Sequence, residues 1–239
     1  MKNVIMGRNT IKEVLKYKIN IFIEVYTSAH ENDFLVKELK KNNILIKFVS
    51  KKTLFSQVKS ESHQGFVAKI KSRRFIEFKR LIEKLEDKDR SLVIMLDSIY
   101  DPQNLGAILR VCECFSVDSL MFSKNRGTDI TPVVTKIANG ASELLDICIV
   151  SNLASTIDQF KKEGYEVVSS ILDEKAKKLN EFKFANKTLL ILGSEGIGIQ
   201  PLIVKKSDDL LYIPMSGRLQ SLNVSQAASI LIAAFNKTF

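Results

Sequence analysis

Three stretches of this 239-residue chain gather residues whose types and spacing could do chemistry. The first is "LDSIYDPQNLGAILRVCECF". It leaves an apolar strand at Asp97, crosses Asp101-Pro102-Gln103-Asn104, and enters a helix expected to start near Leu105, with Arg110 on its second turn. In an open parallel sheet, ligands bind beyond the carboxyl ends of the strands, where such a turn lies. A helix N-terminus beside an arginine can hold an anion, although an Asp/Asn-capped helix with a solvated Arg110 is the better reading of this stretch taken alone. The second, "LLILGSEGIGI", ends a strand in Gly193, Ser194, Glu195, Gly196 and Gly198. Glycines allow a backbone to approach a ligand closely, and a carboxylate among them needs hydrogen-bond partners or water. The third, "YIPMSGRLQSLNVSQAASILIAAF", offers Ser221 and Asn223 as helix caps. Capping uses one of these polar residues and leaves Pro214 to Gly217 without a role.

These stretches have to be positioned by elements that the apolar pattern outlines. Residues 1–74 alternate helix and strand patterns. Helical spacing runs through "NTIKEVLKYK", capped by Asn9 or Thr10, and through "ENDFLVKELKKNN", with Phe34, Leu35 and Leu39 inward. "KKTLFSQV" reads as a short helix, and "IFIEVYT", "ILIKFVS" and "HQGFVAKI" read as strands. Residues 75–90 read as a connector that becomes a charged helix. From residue 91 to 239, continuous apolar runs ("SLVIMLD", "SLMFS", "DICIV", "EVVSSIL", "TLLILG", "LLYIP") alternate with helix-compatible stretches. That is the signature of buried parallel strands in an α/β domain with helices on both faces of the sheet. The chain therefore reads as a small N-terminal α/β unit (1–74), a connector (75–90) and a larger α/β domain (91–239).

Composition narrows the function. The chain is 45% hydrophobic and 26% charged, the profile of a globular protein. No run of about 18 apolar residues argues for a membrane span, and "MKNVIMGRNT" lacks a signal-peptide core, so a cytoplasmic protein is expected. Cys112, Cys114 and Cys148 are odd in number and, with His30 and His63, make no metal-ligand spacing, so no metal is expected. The net charge of +9 resides in the first third, where residues 1–74 hold 16 Lys and Arg against 6 Asp and Glu. Such an excess neutralises phosphates and points to a nucleic-acid partner. The first strand is not followed by G-x-G-x-x-G, which argues against a dinucleotide-binding oxidoreductase.

Taken together, "DPQNLGAILR", "LLILGSEGIGI" and "YIPMSGRLQSLNVSQAASI" resemble the three motifs of the SpoU branch of the SPOUT superfamily, RNA 2'-O-ribose methyltransferases. "KIANGASELLDI" resembles an intermediate family segment, and the basic N-terminal unit resembles a ribosomal-protein-like RNA-binding domain found before SpoU catalytic domains. The resemblance spans nearly the whole chain. It implies a deep trefoil knot, S-adenosylmethionine as methyl donor, RNA as partner and a homodimer. The donor would meet backbone groups around Gly193, Gly196, Ile213, Met215, Ser221 and Leu222, with Asn223 at the mouth.

Arg110 is the residue to which the family assigns activation of the ribose 2'-OH. A guanidinium seldom acts as a base, so Arg110 is read as a clamp on phosphate and on charge developing at O2'. Asn104, Glu195, Ser221 and Asn223 would orient Arg110 and the ribose. The small residues Ala227, Ala228, Ser229, Ala233 and Ala234 of the last helix would suit a dimer face, or simply a core. Cys112 and Cys114 are read as packing residues. Members that methylate a guanosine ribose of 23S ribosomal RNA look most similar. A tRNA ribose, another ribosomal site, or an inactive RNA-binding module remain alternatives.

Overall fold

The computed structural model describes residues 3–194, 196–219 and 221–237. The chain forms two compact units, the first from residues up to Arg74 together with Asp129–Leu144, the second from Phe75–Thr128 and Leu145 onward.

The first unit begins with β1 (Val4–Met6), α1 (Arg8–Tyr17), β2 (Phe22–Thr27), α2 (Phe34–Lys41), β3 (Leu45–Phe48), α3 (Lys51–Val58) and β4 (Phe66–Ile70). Its four-stranded sheet has the order β1-β4-β2-β3, parallel only between β2 and β3. Ile11, Val14 and Leu15 of α1 and Leu35, Val36 and Leu39 of α2 bury against Val25, Phe66 and Ala68 of the sheet. Two details depart from the sequence reading. The cap of α1 is Gly7, whose carbonyl accepts from Ile11 N–H at 3.0 Å, so Asn9 and Thr10 lie inside the helix. Phe34 opens α2 and is 66% exposed, because the buried stripe is set by Leu35, Val36 and Leu39.

The second unit continues with α4 (Phe78–Leu85), β5 (Ser91–Asp97), α5 (Pro102–Cys114) and β6 (Ser119–Ser123). The chain then supplies α6 (Pro132–Ile137) and α7 (Ala141–Leu144), which cluster with the first unit although the sequence reading ran the larger domain unbroken from 91 to 239. After them come β7 (Ile147–Val150), α8 (Leu153–Lys162), β8 (Glu166–Ser170), β9 (Lys177–Lys178), β10 (Lys187–Gly193), α9 (Pro201–Lys206), β11 (Asp209–Tyr212) and α10 (Val224–Asn236). All pairings in the seven-stranded sheet β7-β6-β5-β10-β8-β11-β9 are parallel. Every residue of β5 is buried, which is why its sequence is apolar without alternation. The charged helix α4 belongs to this unit: Leu81 and Leu85 enter its core beside Val93, Ile157 and Phe160. Among the described residues, no helix is long and apolar enough to cross a membrane.

Candidate active site

The middle of the sheet aligns the carboxyl ends of β5 and β10, with Gly193 in register with Asp97. The chain leaving β10 turns tightly: Gly198 N–H bonds to Ser194 O at 2.9 Å and Ile197 N–H to Ser194 Oγ at 3.3 Å. Gly198 takes φ +71, a backbone angle that a side chain would strain. The exit from this turn is pinned by Asp97. That fully buried carboxylate accepts from Gln200 N–H at 2.8 Å, Gln200 Nε2 at 2.7 Å and Ser98 Oγ at 3.0 Å. Three donors satisfy a charge that would otherwise be costly to bury. The sequence marked Asp97 only as a polar strand end, since its partner lies 103 residues away.

The helix of the first motif starts at Pro102 with Asp101 as cap, one turn earlier than Leu105, because Pro is pre-shaped for a first turn. Asn104 is thereby inside the helix and buried. Its Oδ1 accepts from Asn223 Nδ2 at 2.9 Å. Asn223 in turn caps α10, its Oδ1 accepting from Ser225 N–H at 2.8 Å and from Ser225 Oγ at 2.6 Å. The asparagine amide is therefore used at both ends, and it ties the first motif to the third.

A cavity of about 490 Å³ opens beside these turns. Gly193, Gly196, Ile213, Met215, Ser221 and Leu222 all line it, so the two loops expected to hold a ligand converge on one space. Ser170 to Leu172, at the carboxyl end of β8, also line it. The sequence reading missed them, though the rule that ligands sit beyond strand carboxyl ends could have found them. Arg110 stands apart. It is exposed, does not line the cavity, and has no hydrogen-bond or ion-pair partner among the described residues. Six helical residues separate Arg110 from Asn104 by about 9 Å along the axis and about 120° around it. Glu195 lies outside the described residues.

The profile of the SpoU rRNA Methylase family matches residues 91–233, and that described as RNA 2'-O ribose methyltransferase substrate binding matches residues 4–76. The chain belongs to the SpoU rRNA methylase family. It is 35% identical to the 23S rRNA (guanosine-2'-O-)-methyltransferase RlmB of Acinetobacter baylyi over 71% of this chain and 69% of that one. Identity to the RlmB of Photobacterium profundum is 32%, over 96% and 95% of the two chains. The fold is similar to the crystal structure of the SpoU methyltransferase AviRb from Streptomyces viridochromogenes in complex with AdoMet, with a TM-score of 0.80 at 18% identity, covering 98% of this chain and 89% of that one. The parallel α/β sheet is thus the SpoU fold, with a small N-terminal unit before it.

The cysteines of this SpoU chain divide by burial. Cys112 and Cys148 are buried, and burial pushes both thiols up, Cys148 to about 11 and Cys112 further. Cys114 is exposed, two residues and about 200° around α5 from Cys112, so it is no packing residue. A thiol reagent at neutral pH is expected to label Cys114 in the folded protein, and Cys112 and Cys148 only after denaturation. Peptide mass spectrometry reads this directly, and rapid labelling of Cys112 would contradict the packing seen around α5.

Proposed function

We propose that this chain transfers a methyl group from S-adenosylmethionine to a ribose 2'-OH of a guanosine in 23S ribosomal RNA, in the bacterial cytoplasm. The observation that carries this reading is the convergence of both motif loops on one cavity, tied to the first motif by the Asn223–Asn104 hydrogen bond. The cavity fits the donor in kind. Its volume falls in the range of small-molecule sites, its walls mix glycine backbone with apolar Leu172, Ile199 and Leu222, and Ser170, Ser194 and Ser221 add hydroxyls. Gly193, Gly196, Ile213, Met215, Ser221 and Leu222 would hold it. When bound, S-adenosylmethionine supplies a methyl on a positively charged sulfur, already a strong electrophile.

The chain's own residues have two remaining tasks, to orient the ribose and to stabilise negative charge as O2' loses its proton. Asn104 and Asn223, fixed by their shared hydrogen bond and by the helix cap, are rigid enough to orient a ribose. Arg110, a permanent cation with an uncommitted fork of donors, can clamp a phosphate and stabilise O2'. Its exposure on α5 supports a further reading, that a second copy of the chain completes the site. Ile230 of α10, packed beside α5, is exposed as well. Light scattering should then report a dimer. The loops after β10 and β11, which line one cavity, support a trefoil knot here.

The test is reconstitution. Purified protein, S-adenosylmethionine and 23S ribosomal RNA are expected to give one 2'-O-methylguanosine by mass-spectrometric mapping. A ribose methyl placed on tRNA instead would move the substrate, and absence of donor binding in calorimetry would end the enzymatic reading. Arg110→Ala and Arg110→Lys should each slow single-turnover transfer by about 100-fold, the scale of one lost electrostatic donor, with donor affinity kept. Near wild-type rates in both would remove Arg110 from the mechanism.

A further inference from the structure

A cavity of about 680 Å³ in the first unit is lined by none of the residues of the three methyltransferase motifs. Its wall is built by α3, by the turn Glu61–Gly65 and by the start of β4. Lys51 and Lys52 occupy the first turn of α3, and Phe55 follows one turn later on the same face. Phe55 is 42% exposed, while its neighbour Leu54 is fully buried. Among the described residues, neither lysine has an ion-pair partner. Arg8 also reaches the cavity, but its charge is committed to Asp33.

The polar groups at the other end differ in kind. His63 is buried, and its Nδ1 accepts from Gly65 N–H at 3.0 Å, which leaves the ring proton on Nε2 as a donor. Burial lowers the pKa of this ring from the ordinary histidine value. Glu61, exposed at the rim, supplies an acceptor. One space thus offers two cations, one aromatic face, one donor and one carboxylate.

From this juxtaposition we infer that the cavity is a subsite for one unpaired nucleotide of the RNA substrate, its base stacked on Phe55, its phosphate at Lys51 and Lys52, and its base edge read by His63 and Glu61. The inference rests on the methyltransferase reading for the presence of an RNA substrate, and it deepens that reading by naming where single-stranded character is recognised. The ligand carries both charge and a flat face. A bare phosphate would use the lysines, but it would be repelled by Glu61 and make no use of Phe55. A nucleotide separates the two, with the anion at one end and a hydrogen-bonding edge at the other. A base inside a duplex hides both faces by stacking, whereas unpaired loop bases can be splayed onto aromatic side chains. The volume, in the range of small-molecule sites, suits one nucleotide. The excess of 16 basic over 6 acidic residues in residues 1–74 supplies the surrounding attraction for a polyanion.

The experiment uses the full chain without methyl donor and measures fluorescence anisotropy of a labelled, unstructured RNA of about 10 nucleotides. Phe55→Ala is expected to weaken binding about 10-fold, the loss of one base–aromatic stack, and Phe55→Tyr to restore it. Replacing Lys51 and Lys52 together by alanine should lower affinity and flatten the salt dependence by about one to two phosphate contacts. The same RNA annealed to its complement should respond far less to Phe55→Ala. Binding of the single strand unchanged by Phe55→Ala, an equal loss on the duplex, or no measurable binding by the wild-type chain would each overturn the subsite. Failure of the methyltransferase reading would show separately, as wild-type protein that takes up no S-adenosylmethionine in calorimetry.

Discussion

Gly193→Ala is expected to abolish measurable S-adenosylmethionine binding and to destabilise the second unit by about 3 kcal/mol or more. A Cβ at position 193 would lie 2.4 Å from the carbonyl carbon of Gly198, 2.5 Å from its oxygen and 2.6 Å from Ile199 N. All three are backbone atoms, so no side-chain rotation relieves the clash. Relief requires the turn to move away from the strand end. That motion strains the Gly198–Ser194 hydrogen bond and pulls Gln200 from the buried carboxylate of Asp97. Asp97 would then be left with unfulfilled acceptors in a dry place, which multiplies the cost. The same displacement reshapes the wall that Gly193, Gly196 and Gly198 give to the cavity. Gly196 is the control, because a Cβ there meets nothing within 4 Å. Gly196→Ala should keep stability within about 0.5 kcal/mol. Thermal unfolding and calorimetric titration of both variants decide the matter. If Gly193→Ala binds the donor as the wild type does, the close approach of strand and turn is not what shapes the pocket.

The residues legible in the sequence are those whose environment is set by their own strand or helix. The central strands declared themselves because burial on both faces demands uninterrupted apolar runs, as in β5 and β10. β1 and β9 did not. Val4–Met6 is too short to show a period, and β9 is two lysines that join β11 through parallel pairing and a Lys177–Asp209 ion pair, with no apolar residue to mark it. The six residues expected to hold the donor share one cavity, since motifs carried by resemblance encode a loop's final shape. What resemblance did not supply were the contacts between distant segments: Asp97 with Gln200, and the return of residues 129–144 to the first unit. Pairings of that length leave no local periodicity. Arg110 shows the opposite limit. Its type and spacing singled it out, but its azimuth on α5 decides what it can reach, and that depended on where the helix began.

Breaking the Arg73–Glu143 pair should be the most damaging single change in the first unit, costing about 3–5 kcal/mol. Both side chains are buried, 8% and 3% exposed, and they lie 70 residues apart in sequence. Arg73 Nε donates to both carboxylate oxygens, at 3.0 and 3.2 Å, and Nη1 donates to Ile130 O at 3.0 Å. Glu143 also accepts from Ser142 Oγ at 3.1 Å. With Arg73 Nη2 donating to Glu143 Oε1 as well, four hydrogen bonds from Arg73 staple residues 129–144 to the end of the N-terminal segment, and their donors and acceptors have little access to water. In Glu143→Ala the guanidinium stays buried with one carbonyl partner, and its desolvation goes uncompensated. A drop in melting temperature of roughly 10 °C is expected. Arg73→Met with Glu143→Leu removes both charges and should recover most of that loss, because packed apolar groups of similar volume replace a buried pair at little cost. The cavity of the second unit contains neither residue, so donor affinity measured well below the transition should persist in both variants. A Glu143→Ala protein that melts within about 2 °C of wild type would mean water reaches Arg73. An uncharged double variant no better than the single would mean the hydrogen-bond geometry, rather than charge compensation, holds residues 129–144 in place.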